Sequence, residues 1–215
     1  MSRKNNKGLN VGSEHEIIIE RMAHEGQGIG KINEITVFVE GAIFGEKCLA
    51  EITKSKKDYA IARIVKILEV SPYRVTPACA YERCGGCNLS HMSYEGQLIF
   101  KREKVIDSLR RIGHIDAQVY DTLGMERPYR YRNKTQHPVG MVDNRIVIGF
   151  FEKRTHNIVE IDDCMLQDPI ADHVINTVKS WMKECDVPAY NEIAHQGLVR
   201  HVVTRVGHKT GEIMV

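Results

Sequence analysis

The 215-residue chain has no run of 18 apolar residues, so no membrane-spanning helix is expected. No apolar stretch follows its basic start, MSRKNNKGLN. That is not the layout of a secretory leader, and residues 1–13 read as a loose tail. The chain also lacks an excess of either charge: 30 Lys and Arg stand against 28 Asp and Glu, a formal net charge of +2. A polyelectrolyte binder of the histone kind is thereby excluded, while local basic patches are not. Without a leader, a reducing cytoplasmic compartment is expected, where disulfides are disfavoured. What is present is an ordinary globular composition, 42% apolar and 27% charged.

Residues 14–70 read as short strands separated by glycine-containing turns: EIIIER (16–21), ITVFVEG (35–41), and two or three more within 45–69. Strands at this spacing suit a small barrel, and a five-stranded barrel of the OB type fits just under 60 residues. Gly26-Gln-Gly28-Ile-Gly30 leads into a strand pattern rather than a helix, so it reads as a barrel turn and not as a nucleotide loop. Residues 71–92 combine Pro72, Pro77 and three cysteines, the mark of an irregular loop around a metal centre. A helix is predicted over 94–112, with Leu98, Val105, Leu109 and Ile112 as its buried stripe and Gly113 as its stop. From 129 the pattern returns to strands, with hairpins across KRTH and HKTG. A helix starts at Asp168-Pro169 and carries Ile170, Val174, Val178 and Trp181 on its buried face. The chain stops on an apolar Met214-Val215, which suggests a piece of a longer protein.

Of the six cysteines, three lie within nine residues. Cys79, Cys84 and Cys87 have the spacing C-x4-C-x2-C, with Gly85-Gly86 inside the last interval. Glycines let the backbone curl around a centre. A fourth ligand is needed, and Cys164, after the acidic IDD, is the best candidate. Four thiolates suit tetrahedral zinc or an iron–sulfur cluster, and the spacing leaves both open. Cys48 and Cys185 read as small buried apolar residues.

The segment RCGGCNLSHMSYEGQLIFKREKV (83–105) resembles the cluster region of the 5-methyluridine RNA methyltransferase family. HEGQGIGK with VFVEGAIFGE (24–46) is similar to that family's TRAM domain. SPYRVTPAC (71–79) resembles its linker, and YRYRNKTQHPVG (129–140), IGFFEKRTHNIVEIDDC (148–164) and LVRHVVTRVGHKTGEIMV (198–215) resemble its central domain. The resemblance implies a 4Fe–4S cluster on Cys79, Cys84, Cys87 and Cys164. The family has five residues between the first two cysteines where this chain has four, so Cys79 is the ligand that departs from its pattern. It also implies S-adenosylmethionine as methyl donor for the parent enzyme and 23S ribosomal RNA, more than transfer RNA, as substrate. The resulting fold expectation is α+β: a tail (1–13), a TRAM barrel (14–70), a cluster loop (71–92) and a central domain (93–215). The family's catalytic Rossmann-like domain is expected to be absent from this chain, and the chain by itself is expected to be inactive.

For RNA, Lys54, Lys56 and Lys57 stand beside Tyr59, placing phosphate contacts next to a stacking ring. Arg130, Arg132 and Lys134 would share one face if YRYRNK is a strand, because side chains alternate with period two. His91, His137, His156 and His201 stand alone and read as ordinary histidines, with His91 placed to pack near a cluster. The cluster is expected to fix the barrel against the central domain. The rival function is a zinc-containing RNA-binding adaptor with no enzymatic parent. Neither DNA nor a membrane is an expected partner.

Overall fold

The computed structural model describes residues 9–215. They divide into two compact units, one of residues 9–77 and 88–123 and one of residues 78–87 and 124–215.

The N-terminal unit is built on β1 (Glu14–Ile18), β2 (Arg21–Met22), β3 (Gly28–Ile32), β4 (Ile35–Glu40), β5 (Lys47–Ser55) and β6 (Tyr59–Glu69). Hydrogen bonds order them β1-β5-β6-β4-β3-β2. β4 and β6 are parallel and the other pairs antiparallel. Only Ile19 and Glu20 separate β1 from β2, so one bent stretch of chain supplies both edges of the sheet. Glu20 N–H donates to the Ile29 carbonyl at 2.9 Å and Ile19 N–H to that of Glu46 at 2.8 Å, and the sheet curls shut as a barrel of OB arrangement. Alternation makes these segments strands: Ile35, Val37 and Val39 of β4 are buried, and Thr36, Phe38 and Glu40 are half-buried. Ile17, Ile19, Val37, Val39, Ala50, Ile52, Ala60 and Ala62 fill the interior. A side chain at Gly30 would strike the Ile18 carbonyl oxygen and the Ile17 side chain, which accounts for glycine at the point of closure.

Three sequence expectations change here. Of the predicted tail, residues 1–8 lie outside the described residues, but Leu9 is buried in the barrel core and Gly12 N–H donates to Ile52 at 2.8 Å. The predicted helix is α1 (Tyr94–Asp107), capped by Ser93, with a π turn over Ser108–Ile112. It belongs to the barrel's unit and not to the central domain, because Phe100 and Met92 are buried with Ile43. Its buried residues are Gly96 and Phe100, whereas Val105 and Ile112 are exposed. Third, the loop expected over 71–92 is split. Residues 73–75 pair with 91–93, through Ser93 N–H to Tyr73 at 2.7 Å and Val75 N–H to His91 at 3.0 Å, while 78–87 join the other unit.

Where 71–75 meets the barrel, Glu46 is buried. It takes the Ile43 N–H at 2.9 Å and a fork from Arg74, which also donates to the Gly41 carbonyl at 2.7 Å. The buried carboxylate is thus paired and hydrogen-bonded, the condition under which its burial is tolerated.

The C-terminal unit is an antiparallel sheet, β11-β10-β7-β8-β9, of β7 (Lys134–Val142), β8 (Arg145–Phe151), β9 (Ile158–Glu160), β10 (His201–Val206) and β11 (Ile213–Met214). Helix α2 (Pro169–Glu184) packs Ile175 and Met182 against Val139, Ile148 and Val202. Each such fully buried side chain contributes roughly 1.5–3 kcal/mol. Asp168 caps the helix through Ile170 N–H at 2.9 Å. Val174 and Val178 of the predicted stripe pack against this core, but its fully buried residues are Ala171, Ile175 and Met182, and Trp181 is 46% exposed. Met214 of β11 pairs with Arg205 of β10. Among the described residues, no helix is long and apolar enough to cross a membrane.

Candidate four-thiol centre and RNA-binding surface

All four predicted thiol ligands belong to the C-terminal unit. Cys79, Cys84 and Cys87 lie in residues 78–87, and Cys164 lies between β9 and α2. None is in a disulfide. The loop is held to the sheet by ordinary bonds. Gly85 N–H donates to the Phe151 carbonyl at 3.0 Å, and Arg83 forks onto Glu152 at 2.9 and 3.1 Å. The Tyr81 hydroxyl accepts from Asp162 N–H at 3.0 Å. A Cβ on Gly85 would sit 2.8 Å from the Phe151 oxygen, so the first glycine of CGGC is required by close approach of two backbones.

The fourth thiol is positioned by a polar network. Cys164 N–H donates to Asp172 Oδ1 at 3.3 Å, and Gln167 Nε2 donates to the same oxygen at 2.5 Å. Gln167 Oε1 lies 2.9 Å from His137 Nε2. Gln167 and His137 are fully buried. Arg130 completes the set, donating to the Cys164 carbonyl at 2.7 Å, to Asp163 at 2.6 Å and to Asp172 at 3.4 Å. Burial pushes the Asp172 carboxyl above its usual range, and donation from Gln167 and Cys164 opposes this.

The thiols sense one another. Burial raises the pKa of Cys84 and Cys87; the charges of Cys164 and Cys79 add to the rise in both, and the Arg132 guanidinium opposes it. Yet among the described residues no three His, Cys, Asp or Glu side chains converge on a single-ion site. Tetrahedral zinc, with Zn–S near 2.3 Å, draws its thiolates to within about 3.8 Å of each other. A multi-iron core places each thiolate on its own iron, and the four-thiol donor set suits such a core as it suits tetrahedral zinc. Cys48 is fully buried, and burial lifts its thiol to about 11, leaving an inert apolar residue. Cys185, expected to be buried, is exposed at the end of α2.

The basic residues divide. Lys54, Lys56, Lys57 and Tyr59 are all exposed at the β5–β6 hairpin, and the Tyr59 ring stands edge-on to Phe38 at 5.8 Å. A bulge between Ile52 and Lys54 breaks the register there. The second patch is corrected. Residues 129–133 are not a strand, because Arg130 has φ +56°, and Arg130, Arg132 and Lys134 do not form one sheet face. Arg130 is turned onto Asp163 and Asp172, and Arg132 Nη2 donates to the Gly86 carbonyl at 3.3 Å. Lys134, at the start of β7, is exposed.

Sequence reading missed His137, Gln167 and Asp172 as supports of the thiol centre, since each bond spans from 5 to 30 residues. It also missed a cleft of about 350 Å³ in the C-terminal unit, where Glu192 holds His156 at 2.7 Å and Arg200 at 3.0 Å. His91 belongs to the N-terminal unit.

Comparison with known proteins bears on both units. The TRAM domain family matches residues 8–65. An uncharacterised RNA methyltransferase of Caldanaerobacter subterraneus is 46% identical over 96% of this chain and 46% of its own length. Residues 8–65 thus carry a TRAM domain, and nearly the whole chain is similar to a protein named RNA methyltransferase. A second such relative, from Clostridium tetani, is 46% identical over 94% of the chain and 44% of its own length. The fold is similar to that of the Pyrococcus abyssi tRNA (uracil-54, C5)-methyltransferase, solved with S-adenosyl-L-homocysteine. The TM-score is 0.62 at 25% identity, over 92% of this chain and 44% of that one. The chain thus spans a little under half the length of the relatives it matches. Against the expectations of a family fold without its catalytic domain, and of an inactive piece, stand these matches. Nearly the whole chain aligns with proteins named RNA methyltransferase, and its fold follows one solved with the methyl donor's product.

Proposed function

We propose that this chain acts in an S-adenosylmethionine-dependent RNA (uracil-5-)-methyltransferase of the cytoplasm. The β5–β6 hairpin of the TRAM barrel grips RNA phosphates, and Cys79, Cys84, Cys87 and Cys164 hold a 4Fe–4S cluster. The observation that carries the reading is the gathering of these four thiols within one unit, in mutual electrostatic range. The cluster, when bound, supplies an inorganic cross-link. The protein's own part is to present the thiols: Gly85 lets the loop lie against Phe151, and Asp172 with Arg130 sets the backbone of Cys164. Because all four ligands share a unit, the cross-link closes the 76 residues between Cys87 and Cys164 inside it, rather than tying barrel to central domain as expected from sequence.

S-adenosylmethionine supplies the methyl group in this reading. The family resemblance favours 23S ribosomal RNA, whereas the Pyrococcus neighbour is named for transfer RNA. The zinc adaptor is disfavoured by relatives named as enzymes. The test is anaerobic purification followed by iron, sulfide and zinc analysis, with methyl transfer from labelled donor to 23S and transfer RNA transcripts. About four irons and four sulfides per chain are expected, with label at carbon 5 of uridine in the ribosomal transcript. Stoichiometric zinc without sulfide would remove the cluster, and label confined to transfer RNA would reassign the substrate.

A further inference from the structure

Arg132 touches both halves of the ligand set. Its N–H donates to the Leu166 carbonyl at 2.9 Å and its own carbonyl accepts from Asp168 N–H at 3.3 Å, which fixes the segment that follows Cys164. Its guanidinium reaches the other way, to the carbonyl of Gly86 inside the Cys84–Cys87 turn. The neighbouring arginines are committed elsewhere, Arg83 to Glu152 and Arg130 to Asp163 and Asp172. Among the described residues, Arg132 is in no ion pair.

We propose that Arg132 is the counter-charge and clip of the four-thiol centre, a positioning residue for the cluster rather than a phosphate contact. Four thiolates around a 4Fe–4S core leave the site anionic, and a guanidinium, always charged and weakly hydrated, is suited to balance it at partial burial. Its hydrogen bond fixes the backbone between two ligands, as outer partners of metal sites do. The period-two pattern that suggested a phosphate track therefore has another cause, and Arg132 parts company with Lys134.

The inference rests on the cluster reading, and wild-type protein separates the two: if it holds no iron and sulfide after anaerobic purification, the cluster reading itself is wrong. With loaded wild type, Arg132→Gln, Arg132→Lys and Lys134→Ala are compared by iron release in air, reduction potential and RNA affinity at fixed salt. Arg132→Gln is expected to lose iron about tenfold faster and to shift the potential negative. Arg132→Lys is expected to keep the potential near wild type yet still release iron faster, because lysine lacks the fork. Lys134→Ala is expected to leave both unchanged. Should Arg132→Gln fail to fold, Arg132→Lys decides through its release rate. An Arg132 variant with wild-type iron release and potential but weakened RNA binding would overturn the proposal and return Arg132 to the RNA surface.

Discussion

His137 shows how far a single residue's influence extends. It is fully buried, its ring lies 4.6 Å from that of Phe150, and through Gln167 and Asp172 it is linked to the backbone of Cys164. Burial holds its pKa below the ordinary 6.5, against opposing hydrogen bonds from Gln167 and Val202. The unfolded chain therefore binds a proton more readily than the folded one, and the stability this residue contributes is intact above 6.5 and lost as pH falls through the lower folded value. Urea midpoints should fall as pH is lowered from 7 to 5, and His137→Gln should flatten that dependence. Equal slopes for the two proteins would mean that His137 does not control it. Cys79, Cys84 and Cys87 stand out in the sequence because their spacing is local. His137, Gln167 and Asp172 do not, since a lone buried histidine has no pattern and its partners come from distant segments.

At the level of elements, alternation and glycine placement disclosed the barrel strands, while the phase of the helices and the end of one strand eluded them. YRYRNK has the right alternation for a strand. Arg130 nevertheless adopts a left-handed conformation, at a cost of roughly 1–2 kcal/mol, because its guanidinium there reaches carboxylates 33 and 42 residues away. No local pattern encodes that. The face α2 buries includes Val174 and Val178 of the predicted stripe but is centred on Ile175 and Met182, because the sheet's Val139, Ile148 and Val202 set which side is covered. The β5–β6 hairpin is where a charge pattern and the fold coincide: Lys54, Lys56 and Lys57 are all exposed. If they contact phosphates, replacing all three by Ala should weaken binding of unrelated RNAs alike and lower the slope of log affinity against log salt by up to about three. A filter-binding salt series measures this. A slope unchanged within error would take the hairpin out of the interface.

For the molecule as a whole, the division into units sets what the centre can stabilise. The four thiols, their arginines and the His137 network all belong to the C-terminal unit. Stripping iron with a chelator should therefore speed hydrogen exchange at residues 78–87 and 162–168, by about tenfold or more given the affinity carried by such outer partners. Barrel strands β3 to β6 should exchange as before. Equal loosening of the barrel would show that the centre supports both units. The sequence did not disclose this partition, because nothing in residues 71–92 marks where one unit hands the chain to the other. Phe100, Met92 and Ile43 decide it by packing.

That hand-over has a consequence during synthesis. The chain contributes residues 78–87 to the second unit, departs for 88–123, and comes back only at 124, so Cys87 waits for Cys164 while 76 more residues are made. At about 5–20 residues per second on the ribosome, the delay is roughly 4–15 s. Three sulfhydryls emerge early and remain without their partner throughout that interval, so a cluster on all four, if the proposed one forms, is completed only after residue 164 is made.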